Sequence, residues 1–163
     1  MAEHKARAFG TVVLGGLTAG VLDISDAFVV TVLNGGTPVR VLHAIASGVL
    51  GRSAYQGGAA AAALGLGLHF LIAMGAATTY VMASRRLPIL LRRPLWCGLA
   101  FGLAVWAVMY YVVLPITFSR PNRIPAWPFL VNQLGIHAIG VGLPIALIIA
   151  RGGTRSGPRH PAR

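Results

Sequence analysis

Four long apolar stretches constrain the fold of this chain more than any other feature. They cover residues 9–33, 59–82, 95–115 and 129–150. A helix needs about 20 residues to cross roughly 30 Å of hydrocarbon, and each stretch meets that length. Only 10% of the 163 residues are charged, whereas a soluble domain carries about 25%. The sequence therefore predicts an all-α membrane protein with four transmembrane helices.

A shorter helix is predicted between the first two spans. Thr37-Pro38 is typical of a helix start, and residues 38–50 carry an apolar stripe opposite Arg40, His43 and Ser47. This helix is too short to span, so we expect an amphipathic helix in the outer interface or one that dips partly into the bundle. An ordinary amphipathic connector is the alternative. The domain prediction is a single four-helix unit over 1–151, followed by a disordered, basic cytoplasmic tail over 152–163.

The basic residues predict the orientation of the chain in the membrane. If the four spans are threaded in order, ten of the fourteen Lys and Arg residues lie on the side of the two termini. This is the positive-inside distribution, so both termini should be cytoplasmic. Topology thus explains the net charge of +11, and we expect the lipid bilayer rather than nucleic acid as the partner.

The sequence lacks the usual signatures of catalysis and of bound cofactors. The first apolar run is too long for a signal-peptide core, so we interpret it as an uncleaved span. Cys97 is the single cysteine, which excludes a disulfide within the chain and a Cys-rich metal site. No HExxH or GxSxG motif is present. We therefore expect a protein that is not an enzyme and has no cofactor.

Two aspartates inside the first span are the most unusual residues. Asp23 and Asp26 are the only acids of the chain apart from Glu3. A charge at mid-bilayer costs roughly 2.5–3.5 kcal/mol even on lenient insertion scales, so these residues should face the protein interior. Asp23 shares a helix face with Gly16 and Gly20, a GxxxG pair that favours close helix packing. The sequence thus places Asp23 inside the bundle.

Two histidines in other spans fall at nearly the same depth. At about 1.5 Å per residue, Asp23 lies about 3 Å from the centre of its span, His69 about 2 Å and His137 about 4 Å. Alternate helices run in opposite directions, so all three offsets point towards the outer face. The sequence therefore predicts a polar layer thinner than one helical turn.

Proton or ion handling is the functional hypothesis for this layer. Desolvation favours a neutral carboxyl and a nearby imidazolium favours a carboxylate, so such a pair can titrate near neutral pH. Asp23, Asp26, His69 and His137 are candidates to relay protons or coordinate a cation, with Gln133 and Tyr80 extending the polar path. His43, near the outer surface, is a candidate entry group or pH sensor.

Three other hypotheses remain open. The polar layer can be structural, with hydrogen bonds that fasten the helices, although such bonds average only about 0.6 kcal/mol in a measured membrane protein. His69 and His137 can be axial ligands of a b-type haem, which leaves the aspartates unexplained. Lipid handling, or a role as an accessory subunit of a larger complex, is the third. Glycine-rich faces also permit a homo-oligomer.

The second half of the chain resembles a known family. The segments LGLGLHFLIAMGAATTYVMASRRLP, LWCGLAFGLAVWAVMYYVVLP and VNQLGIHAIGVGLPIALIIAR are similar to the YagU-like inner-membrane proteins of bacteria. The resemblance implies a bacterial inner-membrane protein with a poorly defined function, concerned with acid stress. It adds weight to proton handling through His69 and His137 and gives no role to Asp23 or Asp26.

Overall fold

The computed structural model describes residues 2–118 and 126–154, and the regular structure in these ranges is helical. Four elements are continuous: α1 (Ala2–Leu33), α2 (Pro38–Leu50), α3 (Gly58–Arg86) and α4 (Ile89–Arg92), with a 3₁₀ segment (Gly51–Gln56) before α3. Two long helices are interrupted by π turns. They are α5 (Pro94–Val108, then π-helical Met109–Val113, then Leu114–Phe118) and α6 (Trp127–Gly135, then π-helical Ile136–Gly142, then Leu143–Thr154).

Four of these helices are long and apolar enough to cross a membrane, which confirms the predicted fold class. The candidate spans are Phe9–Leu33, Gly58–Arg86, Pro94–Thr117 and Trp127–Gly152. The predicted boundaries lie within four residues of them. The helical structure continues through residue 154, so residues 152–154 belong to α6 rather than to the predicted tail. Residues 155–163, and Arg120 and Arg123 between the third and fourth apolar stretches of the sequence, lie outside the described residues.

The helices α1 and α6 form the centre of the bundle. They pack against each other, α3 packs on the other side of α1, and α5 packs against α6. A core of buried side chains lies near the two chain ends, where Ala77, Ala146 and Ile145 cluster with Tyr80. The Tyr80 hydroxyl donates a 2.9 Å hydrogen bond to the Leu90 carbonyl, and its ring meets the edge of Phe101 with a centroid distance of 5.0 Å. This end of the bundle is therefore filled.

Glycines set how closely the spans approach. Gly20 lies under the Phe70 ring of α3, and a Cβ at that position would come within 2.8 Å of it. Between α5 and α6 the backbones themselves touch, because Gly142 faces the carbonyl oxygen of Gly98 and the backbone of Gly102. Small residues permit such crossings in membranes, where packing replaces the hydrophobic effect as the driving force.

Prolines explain the two π-helical segments. Pro115 and Pro144 each follow a π segment by two residues. Proline lacks the N–H that would bond the carbonyl four residues back, and its ring clashes with that carbonyl, so the preceding turn rewinds. The third apolar stretch of the sequence ends at Pro115. The helix instead continues to Phe118, because a rewound turn accommodates the proline.

The predicted short helix exists as α2 and packs across the beginning of α3. The Leu42 backbone of α2 meets Gly65 of α3, and Ala46 is fully buried with Ala54 and Ala61. The apolar stripe of α2 is only partly buried, since Val49 remains 66% exposed. The face of the membrane that α2 occupies stays a prediction.

We expect Gly142→Ala to destabilise the fold, because its Cβ has no space between the α5 and α6 backbones. Overpacking typically costs about 1–3 kcal/mol, so the melting temperature in detergent should fall by several degrees. Gly67→Ala is the matched control, since nothing lies within 4 Å of the position where its Cβ would be. Equal melting temperatures for the two variants would contradict this packing.

Candidate functional site

A cavity of about 500 Å³ occupies the half of the bundle that lies towards α2. The spans α1 and α6 contribute Ala19, Asp23 and His137 to its wall, while α3, α5 and α2 complete the lining. The helices α3 and α5 are not among the closely packed pairs, so the cavity occupies the space between them. Most of its lining side chains are apolar. The filled core around Tyr80 lies beyond its deep end, which is formed by Ala19, Ala73 and Val141.

Asp23, His69 and His137 converge on the cavity wall. Oδ2 of Asp23 lies 4.0 Å from Nδ1 of His69, and Oδ1 lies 4.0 Å from Nδ1 of His137. The Asp23 side chain is 27% exposed and each imidazole is 12% exposed. One carboxylate from α1 thus faces one imidazole from α3 and one from α6.

A backbone carbonyl fixes the orientation of His69. Its Nε2–H donates a 2.8 Å hydrogen bond to the Gly20 carbonyl, since a carbonyl oxygen can only accept. The neutral ring is therefore protonated at Nε2 and presents the lone pair of Nδ1 towards Asp23. The absence of a side chain at Gly20 allows α3 to come this close.

Neutral His137 carries its proton on Nδ1, whereas neutral His69 carries it on Nε2. Its Nδ1–H donates a 2.9 Å hydrogen bond to the Gln133 carbonyl, one turn earlier in α6. His137 lies in the π segment, where backbone hydrogen bonds shift to the carbonyl five residues back. Nε2 of His137 then remains as the ring atom that can accept a proton.

The other predicted site residues are distributed differently. Gln133 lines the same cavity, whereas Asp26 does not. Nδ2 of Asn132 donates a 2.8 Å hydrogen bond to Oδ2 of Asp26, which links α6 to α1. His43 also lies outside the cavity lining, where its Nε2–H donates a 2.9 Å hydrogen bond to the Gly58 carbonyl. The structure thus brings together Asp23, His69, His137 and Gln133.

Sequence reasoning missed two residues of the cavity lining and one polar contact outside it. Asn132 was not singled out, although an amide beside Gln133 in an apolar run is a signal for a buried polar contact. Trp106 and Tyr110 line the cavity, although neither was predicted as a site residue. The neighbouring Tyr111 is 59% exposed. The i, i+4 spacing of Trp106 and Tyr110 places them on one face, but spacing alone does not show which way that face turns.

The site does not have the geometry of a metal or haem centre. Within residues 2–118 and 126–154, no three His, Cys, Asp or Glu side chains are arranged to hold a metal ion. A haem iron would need a free nitrogen of each ring on opposite sides of it. Here the two Nδ1 atoms face the two oxygens of one carboxylate, and Nε2 of His69 is bonded to Gly20. The residues present therefore do not fit a haem between the histidines.

Comparison with known proteins gives no match of the chain to any family model, to any curated protein or to any solved structure.

We expect ¹⁵N NMR of the neutral imidazoles at alkaline pH to show different tautomers for the two histidines. His69 should carry its proton on Nε2 and His137 on Nδ1, because each donates to a backbone carbonyl. The variants His69→Gln and His137→Gln assign the signals. The same tautomer at both positions would refute the described hydrogen bonds.

Proposed function

We propose that this multi-pass membrane protein is a non-enzymatic, proton-linked component in which Asp23 and its two histidines take up and release protons inside the cavity. The observation that supports it most is the convergence of one carboxylate and two imidazoles from three helices on the cavity wall. Ionisable residues inside a membrane are costly and commonly mark proton or ion pathways.

The geometry around Asp23 suits reversible proton exchange. The lone pair of Nδ1 in His69 faces a carboxylate oxygen at 4.0 Å, longer than the 2.7–3.2 Å of a direct N–H···O hydrogen bond. A proton therefore passes between them after a side-chain rotation or through one bridging water. The pair has two forms of equal net charge: neutral carboxyl with neutral imidazole, and carboxylate with imidazolium.

Protonation of Asp23 changes the net charge of the cavity lining. Among residues 2–118 and 126–154, no Lys or Arg lines the cavity. With both histidines neutral, an ionised Asp23 gives the lining a net charge of −1, and one added proton neutralises it. In a medium of low dielectric constant such a change alters the energy of any charged occupant strongly. Proton uptake therefore changes how strongly the cavity binds a charged molecule.

We place this protein in the bacterial inner membrane with both termini cytoplasmic, because ten of fourteen basic residues lie on the side of the termini. The bilayer is its partner, self-association through glycine-rich faces is part of the proposal, and nucleic acid is not. The resemblance to the YagU-like family supports a role during acid stress, when the proton supply to such a site rises.

A structural role is the second candidate, and two hydrogen bonds favour it. Asn132 binds Asp26 between α6 and α1, and His69 binds the Gly20 carbonyl between α3 and α1. Each bond fastens two spans. Under this alternative Asp23 only completes the polar contacts of the bundle, and its proton occupancy does not change in use.

We expect Asp23→Asn to abolish proton uptake by the site, since the amide cannot titrate. In purified protein, infrared difference spectra between acid and alkaline pH should show a carboxyl band that this variant lacks. In proteoliposomes with a clamped membrane potential, proton flux above that of protein-free vesicles should fall to the leak level. His137→Ala should reduce the flux without removing the carboxyl band.

Asp26→Asn is the matched control, because it removes an acid from the same helix that does not line the cavity. It should keep both the Asp23 band and the flux. No titrating band for Asp23 together with leak-level flux in the unmodified protein would reject the proposal and leave the structural role.

A further inference from the structure

The cavity has an aromatic wall that proton transfer alone does not require. The rings of Trp106 and Tyr110 are stacked, with centroids 5.3 Å apart and planes inclined by 11°. Both side chains line the cavity, on the segment of α5 that runs into its π turn. Tyr111 meets the edge of both rings from outside the lining. The stack is thus held by a neighbour and offers a preorganised aromatic surface to an occupant.

The remaining lining combines apolar surface with a single acid. Val105, Met109, Ile45 and Ile72 are among its apolar residues, and Asp23 is the only Asp or Glu of the described part of the chain that lines it. A volume of about 500 Å³ falls within the range of pockets that hold small molecules. While Asp23 is ionised and both histidines are neutral, the lining attracts a cation, repels an anion and receives no balancing charge from a neutral occupant. Charge complementarity therefore selects a cation.

We infer that the cavity binds a hydrophobic organic monocation, with its positive centre near Asp23 and its apolar or aromatic body along Trp106 and Tyr110. Aromatic faces attract cations, with Trp the strongest, and they also pack against apolar rings. An inorganic metal ion fits less well, because the described residues provide no three-ligand cluster. This inference rests on the proposed proton chemistry of Asp23 and names the ligand class that competes with the proton.

The expected pH dependence follows from the groups around Asp23. Asp26 on α1 is bonded to Asn132, His43 of α2 lies outside the lining, and α5 contributes Tyr110. His69 on α3 and His137 on α6 are the titratable partners that face the carboxylate. Protonation of Asp23 or of either histidine makes the lining less negative. Acid should therefore weaken cation binding, and binding should release a proton.

The test uses tetraphenylphosphonium, an aromatic monocation, and tetraphenylborate, an anion of the same shape. Binding to the purified full-length chain in detergent is measured by equilibrium dialysis, with protein-free micelles as the blank. We expect saturable binding of the phosphonium ion and at least tenfold weaker binding of the borate. For exchange against one proton, the affinity should fall about tenfold per pH unit on the acid side.

Variants distinguish the site from general adsorption to hydrophobic surface. Asp23→Asn should weaken phosphonium binding at least tenfold and remove its pH dependence. Trp106→Leu should weaken it about three- to tenfold, because the strongest cation–π face is lost. Asp26→Asn, the charge-matched control, should bind like the unmodified chain. Gel filtration and melting temperature establish that each variant is folded.

Specific outcomes would overturn the inference. Equal binding of cation and anion, or unchanged phosphonium binding in folded Asp23→Asn, would show adsorption or a neutral amphiphile site instead. If infrared spectra show that Asp23 titrates while no phosphonium binds, the ligand class is wrong and the proton chemistry stands. If the cation binds without pH dependence and Asp23 does not titrate, the proposed function fails while a cation site remains.

Discussion

The arrangement of the spans depends on one constraint, which is the cost of placing the carboxyl of Asp23 among apolar helices. Polar neighbours offset that cost, and the chain supplies them from α3 and α6 as His69 and His137, each 4.0 Å from the carboxylate. Because these neighbours come from different spans, the three helices must meet at one depth. The cavity lies where they meet, so the polar contacts of Asp23 determine both where the cavity lies and which ionisable groups line it.

Glycine is the residue that makes this meeting possible. Gly20 lets α3 approach until the His69 ring reaches the Gly20 carbonyl, and Gly102 lies directly against the backbone of His137. Larger residues at either position would move an imidazole away from Asp23. The glycine pairs thus fix distances within the site and do more than hold the bundle together.

The sequence predicted positions along each helix and the inward face of α1 that carries Asp23, but it missed how α5 is rotated in the bundle. Span lengths and the shared depth of Asp23, His69 and His137 follow from counting residues, so these could be predicted. Whether Tyr110 faces lipid or the interior depends on how α5 packs against α6, which no local pattern specifies. The Asp26–Asn132 hydrogen bond joins residues 106 positions apart, so local sequence patterns could not predict it either. The continuation of α5 past Pro115 depends on a π turn that composition does not reveal.

The two interior prolines have a mechanical consequence. Where α5 passes Pro115 and α6 passes Pro144, a backbone hydrogen bond is already missing, so bending there breaks fewer bonds than bending elsewhere. The tight Gly98–Gly102–Gly142 crossing holds the deep halves of the same helices together. In α6 the weakened turn at Pro144 lies two residues from this crossing, whereas in α5 the weakened turn at Pro115 lies near the opposite end of the helix. A bend in α6 at that turn would therefore change how far its Trp127–Gly135 part lies from Trp106 and Tyr110 of α5.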